Sequence, residues 1–388
     1  MSDGPARRVP VAKPSFGEEE ERALVETLRS GWVTQGPRVA EFEQRFAAAV
    51  GAREAVAVSS CTAGLFLTLH AHGIGPGDEV VVPSLTFIAS ANAILQAGAS
   101  PVFAEVDPRS YNLDIDAARS AVGPRTRAIM LVHQLGLPLD LEPFEAVAQE
   151  HGLLLVEDAA CALGGRIRGR PVGSSPWPAC FSFHPRKILV TGEGGMITTS
   201  DSELAARLRR LRHQGMSVSD LERHHAEHVV LEAYPELGFN FRMSDLHAAV
   251  GLAQLAKLDE FLARRRELAA RYGEALERFP EVVAPAAPEH LEPTYQSYIV
   301  RLPGSGERGR NRVLDELQQR GVGSRRGLMA CHLEPFYREA RLSGSLAQTE
   351  LAAAQTLLLP LFHGLTQEDQ DYVLAALRDS LAAAEISA

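Results

Sequence analysis

Lys187 lies between the strand-like run Phe181-Ser182-Phe183 and the glycine turn Gly192-Glu193-Gly194-Gly195. Upstream, Asp158 follows the apolar run Leu153-Leu154-Leu155-Val156. An amine among apolar and glycine residues is expected to give up its proton and act as a nucleophile toward an aldehyde. A carboxylate at the end of a buried strand can hold a pyridinium nitrogen. Together these groups are what pyridoxal phosphate (PLP) requires of a protein.

Two further stretches could meet them. Val58-Ser59-Ser60-Cys61-Thr62-Ala63-Gly64 runs off a strand into a helix that begins near Thr62. A helix N-terminus presents free N–H groups and a positive dipole end, a natural phosphate cradle. Hydroxyls of Thr62 and Ser182 could add hydrogen bonds there. Pro83-Ser84-Leu85-Thr86-Phe87 also follows a strand, and Phe87 could stack on a flat ring, although phenylalanine is more often a core residue. A lone strand-end aspartate could equally cap a helix. The signal is the order of these residues and their convergence on one sheet rim, because ligands of open parallel sheets bind beyond the carboxyl ends of the strands.

The elements that must position them alternate. Strand candidates are residues 55–59, 79–83, 101–106, 127–133, 153–156, 179–183 and 196–199. Helical stretches such as 62–72, 89–97 and 141–151 lie between several of them. The strands are continuous apolar runs, as expected for burial on both faces of a mostly parallel, seven-stranded sheet. Residues 18–30 and 38–50 look helical before this block, and 201–215 and 243–278 after it. Residues 280–293 are proline-rich and read as a linker. A strand at 296–302, a helix at 311–320 and a terminal helix from Thr366 then make a smaller α+β lobe. Thr366-Gln367-Glu368-Asp369 resembles a capping box. The expected division is 1–255 for the large domain and 256–388 for the small one.

Composition narrows the function classes. The 388 residues are 45% hydrophobic and 23% charged, ordinary for a globular chain with a sizeable core. A net charge of −10 argues against a broad nucleic-acid surface. No signal-peptide core and no membrane-length apolar run is visible, so a cytoplasmic protein is expected. Cys61, Cys161, Cys180 and Cys331 show no CxxC spacing. His224 and His228 could share a helix face and bind a metal, but no acidic or cysteine partner accompanies them. The polar stretch 217–236 is expected to be solvated surface, with no metal site.

The chain resembles the DegT-type (DegT/DnrJ/StrS) PLP-dependent sugar aminotransferases, and the resemblance runs almost its whole length. It is carried by Gly36-Pro37, Ser59-Ser60-Cys61-Thr62-Ala63, Gly75-Pro76-Gly77-Asp78-Glu79-Val80, Pro83-Ser84-Leu85-Thr86-Phe87 and Val156-Glu157-Asp158-Ala159-Ala160. The lysine run, Gly238-Phe239-Asn240-Phe241-Arg242-Met243-Ser244-Asp245 and Leu359-Pro360-Leu361-Phe362 continue it. The resemblance implies a fold type I transferase in which Lys187 carries the cofactor as a Schiff base and then shuttles a proton. Asp158 would pair with the ring nitrogen and Phe87 would stack on the ring. Thr62, Ala63 and Ser182 would hold the phosphate. Asn240 would reach the phosphate of the neighbouring subunit, making an obligate homodimer with a shared site. Cys161 stands where family members often carry glutamine near the ring oxygen. Lys187 is retained where dehydratase relatives carry histidine, which favours transamination.

The segment from Ser324 to Pro335 resembles the family's substrate-proximal stretch. Arg325 and Arg326 could meet a donor carboxylate or a nucleotide phosphate, and His332 the sugar or its diphosphate. The expected reaction takes an amino group from an amino acid, L-glutamate first among them, to a keto sugar, a nucleotide-linked keto-deoxyhexose. Rivals are amination of a cyclitol or other ketone, sugar dehydration on the same fold, and a non-catalytic PLP-binding regulator. A nicotinamide dehydrogenase is disfavoured because no GxGxxG follows the first strand.

Overall fold

The computed structural model describes residues 7–386 apart from 219–222, 224, 225 and 227. His224, half of the histidine pair noted above, therefore lies outside the described residues. Among the described residues no cluster of three or more histidine, cysteine or acidic side chains could hold a metal ion. None of their helices is long and apolar enough to cross a membrane.

All seven expected strands form: β1 (Glu54–Val58), β2 (Glu79–Pro83), β3 (Ser100–Ala104), β4 (Thr126–Val132), β5 (Leu154–Asp158), β8 (Ala179–Ser182) and β9 (Gly195–Thr199). The short pairs β6 (Arg166–Ile167) and β7 (Arg170–Pro171) lie between β5 and β8 in the chain. The large sheet has eight strands, not seven. Its order is β1-β9-β8-β5-β4-β2-β3-β13, where β13 is Arg341–Leu342 from the C-terminal region. Two exposed residues carry no alternation, so β13 left no sequence signal. Every strand runs the same way except β9, which is antiparallel to both neighbours.

Alternation along the central strands feeds two cores. Val81, Ile129, Leu131 and Leu155 point to one face, with Phe42 and Phe46. Val80, Val82, Met130 and Val156 point to the other, with Leu65 and Leu69. Helices Pro37–Val50 and Glu142–His151 contribute to the first core, and Cys61–Ala71 and Ala89–Gln96 to the second. Both faces are covered, as apolar parallel strands require.

The helical stretch expected over 243–278 is two helices, Asp245–Ala256 and Leu258–Leu276. They part at Lys257, whose backbone sits at φ −101°, ψ 3°. Its ammonium pairs with Glu20 of helix Glu18–Ser30. No glycine or proline marks this break, so sequence alone could not place it.

A third core gathers around β11 (Tyr298–Arg301), β14 (Thr356–Leu359) and helix Gln367–Ala383. β12 (Arg325–Arg326) completes its three-stranded sheet. The expected capping box is present, with Thr366 Oγ1 accepting from Asp369 N at 3.0 Å. The proline-rich stretch is pinned rather than free. Val283 and Arg301 exchange backbone hydrogen bonds, and β10 (Leu291–Glu292) pairs with β6.

Two of the motifs far apart in sequence meet at Asp245. Its buried carboxylate accepts from Gly36 N at 2.8 Å, Val39 N at 3.0 Å and Arg38 N at 3.0 Å. It thereby caps helix Pro37–Val50 from a distance. Asp245→Ala leaves these N–H groups without partners and should cost about 3 kcal/mol of stability. Chemical denaturation checks this, and an unchanged midpoint contradicts it.

Candidate active site

Five chain segments leave the carboxyl ends of β1, β2, β4, β5 and β8 at one rim of the sheet. They enclose a cavity of about 520 Å³. Thr62, Phe87, Asp158, Cys161, Ser182, Lys187, Arg325 and Arg326 all line it. The topology explains the meeting: parallel neighbours deliver their following loops to the same end. β9 runs in the opposite direction, so its first residue, Gly195, sits at that end too. A Cβ on Gly195 would lie 2.6 Å from Cys61 N. Only glycine lets the strand pass this close to the first turn of helix Cys61–Ala71.

Asp158 is 6% exposed. Its Oδ2 accepts from Ser90 Oγ at 2.7 Å and its Oδ1 from Ala160 N at 3.1 Å. Thr86 Oγ1 lies 3.1 Å from Ser90 Oγ and extends the chain of hydroxyls. Ser90 was not anticipated, because a serine one turn into an ordinary helix carries no sequence signal. Phe87 is 60% exposed over the cavity, so it is not the core residue its type suggests.

Lys187 Nζ donates to Cys161 Sγ at 3.1 Å. Burial pushes the amine's pKa down, but Cys161, Cys61 and Asp158 push it up by more, and it stands above the ordinary lysine value. This corrects the expectation that apolar surroundings would depress it: the pocket floor is acidic, not merely apolar. His184, on the loop before Lys187, is lowered by burial and then by Arg186.

Two expected contacts are placed elsewhere. Ala63 does not line the cavity; its N–H is committed to Ser60 Oγ at 3.1 Å as the helix cap. Ser60 itself joins Thr62 and Ser182 at the wall. His332 is buried behind the wall, with Nδ1 2.7 Å from Ser84 Oγ and Nε2 3.3 Å from Glu350 Oε1. Its ring ties the segment after β12 to the sheet and does not line the cavity. Asn240 is exposed and does not line this chain's cavity. Unanticipated lining comes from Val11, Gln296 and Leu361. Val11 reaches the cavity because its carbonyl accepts from Leu361 N at 3.2 Å.

The family model of the DegT/DnrJ/EryC1/StrS aminotransferases matches residues 14–378. The chain belongs to that family. It is 41% identical over 379 residues to GDP-perosamine synthase of Caulobacter vibrioides, covering 97% of this chain and 99% of the relative. It is 38% identical to the spore coat polysaccharide biosynthesis protein SpsC of Bacillus subtilis, covering 97% and 98%. The crystal structure of the aminotransferase TlmJ from Streptoalloteichus hindustanus superposes with a TM-score of 0.89 at 38% identity, covering 97% of this chain and 99% of that one. The protein is thus a PLP-dependent aminotransferase of fold type I.

The residues present fit the cofactor. Among the described residues, the hydrogen-bond donors to buried Asp158 are neutral. A carboxylate held by neutral donors alone suits a protonated ring nitrogen as its cationic partner. Phe87 offers an open face, and Ser60, Thr62 and Ser182 offer hydroxyls at a helix start. Ser90→Ala removes a hydrogen bond to that carboxylate and should weaken PLP binding about tenfold. Titration of the cofactor-free protein with PLP reads this; unchanged affinity contradicts it.

Proposed function

We propose that this aminotransferase moves an amino group from L-glutamate to a nucleotide-linked keto-deoxyhexose. The observation that carries the reading is the cationic edge of the cavity. Arg325 and Arg326, on β12, line the same space as Lys187 and Asp158. Among the described residues, Arg326 has a 3.4 Å contact with half-buried Glu334, and Arg325 has no ion pair. Guanidinium groups held at a strand edge suit the carboxylate of a donor and the phosphates of an acceptor. The similarity to a GDP-perosamine synthase favours a nucleotide sugar over a cyclitol as acceptor. Lys187, rather than histidine, favours transamination over dehydration.

Bound PLP supplies an electron-withdrawing ring that stabilises negative charge on the carbon bearing the transferred nitrogen. Asp158 keeps that ring protonated and in place. Lys187 Nζ moves the proton to and from that carbon. Phe87 covers one ring face and excludes water. Ser60, Thr62 and Ser182 hold the phosphate while the lysine is detached.

The site is completed by a second copy of the chain in this reading. Phe239 and Phe241 stack with centroids 5.4 Å apart and pack edge-on against Phe66. Asn240 between them is exposed, and in this reading it is the residue a neighbouring subunit's phosphate meets.

Mixing the holoenzyme with glutamate should replace the lysine-bound cofactor spectrum with that of the amine form. Persistence of the starting spectrum contradicts the donor assignment. Lys187→Ala should lower turnover by ~10²–10⁴-fold or more. Mixed dimers of Lys187→Ala and Asn240→Ala chains should regain activity that neither variant shows, since one site then receives both native residues. No recovery means that each chain builds its site alone.

A further inference from the structure

We propose that Cys161 is a positioning residue for Lys187, holding its amine at the cavity floor and sharing its proton while the lysine carries no cofactor. The proposal rests on the role given above to Lys187. Its basis is the 3.1 Å contact between Nζ and Sγ, formed by residues from different loops.

The other groups around the amine are already engaged. Asp158 accepts from Ser90 and Ala160 N. Cys61 donates to Cys180 O at 3.3 Å. Among the described residues, Cys161 is the side chain in hydrogen-bond reach of Nζ. Its carbonyl is fixed in turn, accepting from Thr294 Oγ1 at 2.9 Å. The thiol is thus delivered by an anchored backbone.

A lysine released from its cofactor regains rotamer freedom, so a fixed partner keeps it within reach of the reacting carbon. A thiol differs here from a glutamine amide, because it can ionise. The pair can exist as amine and thiol or as ammonium and thiolate, and the proton passes between sulfur and nitrogen with nothing else gained or lost. The groups that bias this balance are Cys61 from the helix start and Asp158 from β5, with His184 on the lysine's own loop coupled to the amine and itself facing Arg186 and Glu193. Cys161, Cys61 and Asp158 outweigh burial and raise the amine's proton affinity.

The thiol offers a readout independent of turnover. Cys61, Cys180 and Cys331 are buried, whereas Cys161 is half-buried at the cavity. Iodoacetamide should therefore modify Cys161 first, the thiolate displacing iodide. In full-length cofactor-free protein, the pH midpoint of modification at Cys161, followed by peptide mass, is compared between native and Lys187→Met chains. Loss of the cation should raise the midpoint by about one pH unit. Lys187→Arg should keep it near the native value. Lys187→Gln replaces Lys187→Met if the latter does not fold.

In the holoenzyme, Cys161→Ala should slow the single-turnover donor step and shift its pH profile. Cys161→Ser should recover rate, since a hydroxyl still holds the amine, while keeping the shifted profile. Equal modification midpoints in native and neutral-variant proteins would overturn the pairing. So would a donor-step profile unmoved by Cys161→Ala. The modification experiment uses neither cofactor nor donor. Failure of the aminotransferase assignment would leave its result intact, and failure of the pairing would leave that assignment standing.

Discussion

The site depends on a buried carboxylate held at the end of a parallel strand without a bonded cation. Ser90 Oγ and the backbone N–H of Ala160 donate to the oxygens of Asp158. Removing water from such a group is costly unless a positive partner arrives. That unmet demand makes the rim a place for a protonated ring. Cys161 and Cys61, with Asp158, raise the proton affinity of the lysine nearby against its burial. Acid and amine are separated in sequence but brought to one floor by the shared direction of β5 and β8.

The second constraint is that the cavity has walls from distant parts of the chain. Gln296 and Leu361 line it together with Lys187. Arg265, on the helix Leu258–Leu276, fixes these walls by donating to the carbonyls of Tyr295, Gln296 and Leu361. Burial pushes that guanidinium down to about 10, so its carbonyl partners are needed to offset the desolvation. Gln296 Nε2 then donates to Arg186 O at 2.6 Å, next to the lysine. Hydrogen bonds therefore run from the connecting helix to the residue before Lys187. They hold the arginine-bearing β12 sheet and the lysine loop in one frame.

Much of this was legible in the sequence, and the reasons are specific. β2 was readable to the residue because Val80, Val81 and Val82 are buried on both sides and bounded by turn residues. Asp158, Lys187, Thr62 and Ser182 were readable because each follows a strand in a chain whose strands are parallel. What escaped was set by long-range packing. Ser90 matters only because the first turn of helix Ala89–Gln96 brings its hydroxyl to Asp158. β13 exists only because the sheet edge accepts it. His332 and Ala63 carried suggestive identities, but local bonding had claimed them. The lysine's proton affinity was misjudged because the thiols and carboxylate around it come from two other segments, the loop at the end of β5 and the start of helix Cys61–Ala71.

The central claim is that Lys187 is the residue that carries the cofactor. Borohydride reduction of the PLP-loaded protein, followed by peptide mass mapping, tests it most directly. The account predicts a single reduced pyridoxyl adduct on the peptide containing Lys187, and none when position 187 is alanine. An adduct on Lys257 or Lys13, or one that persists in Lys187→Ala, would contradict it.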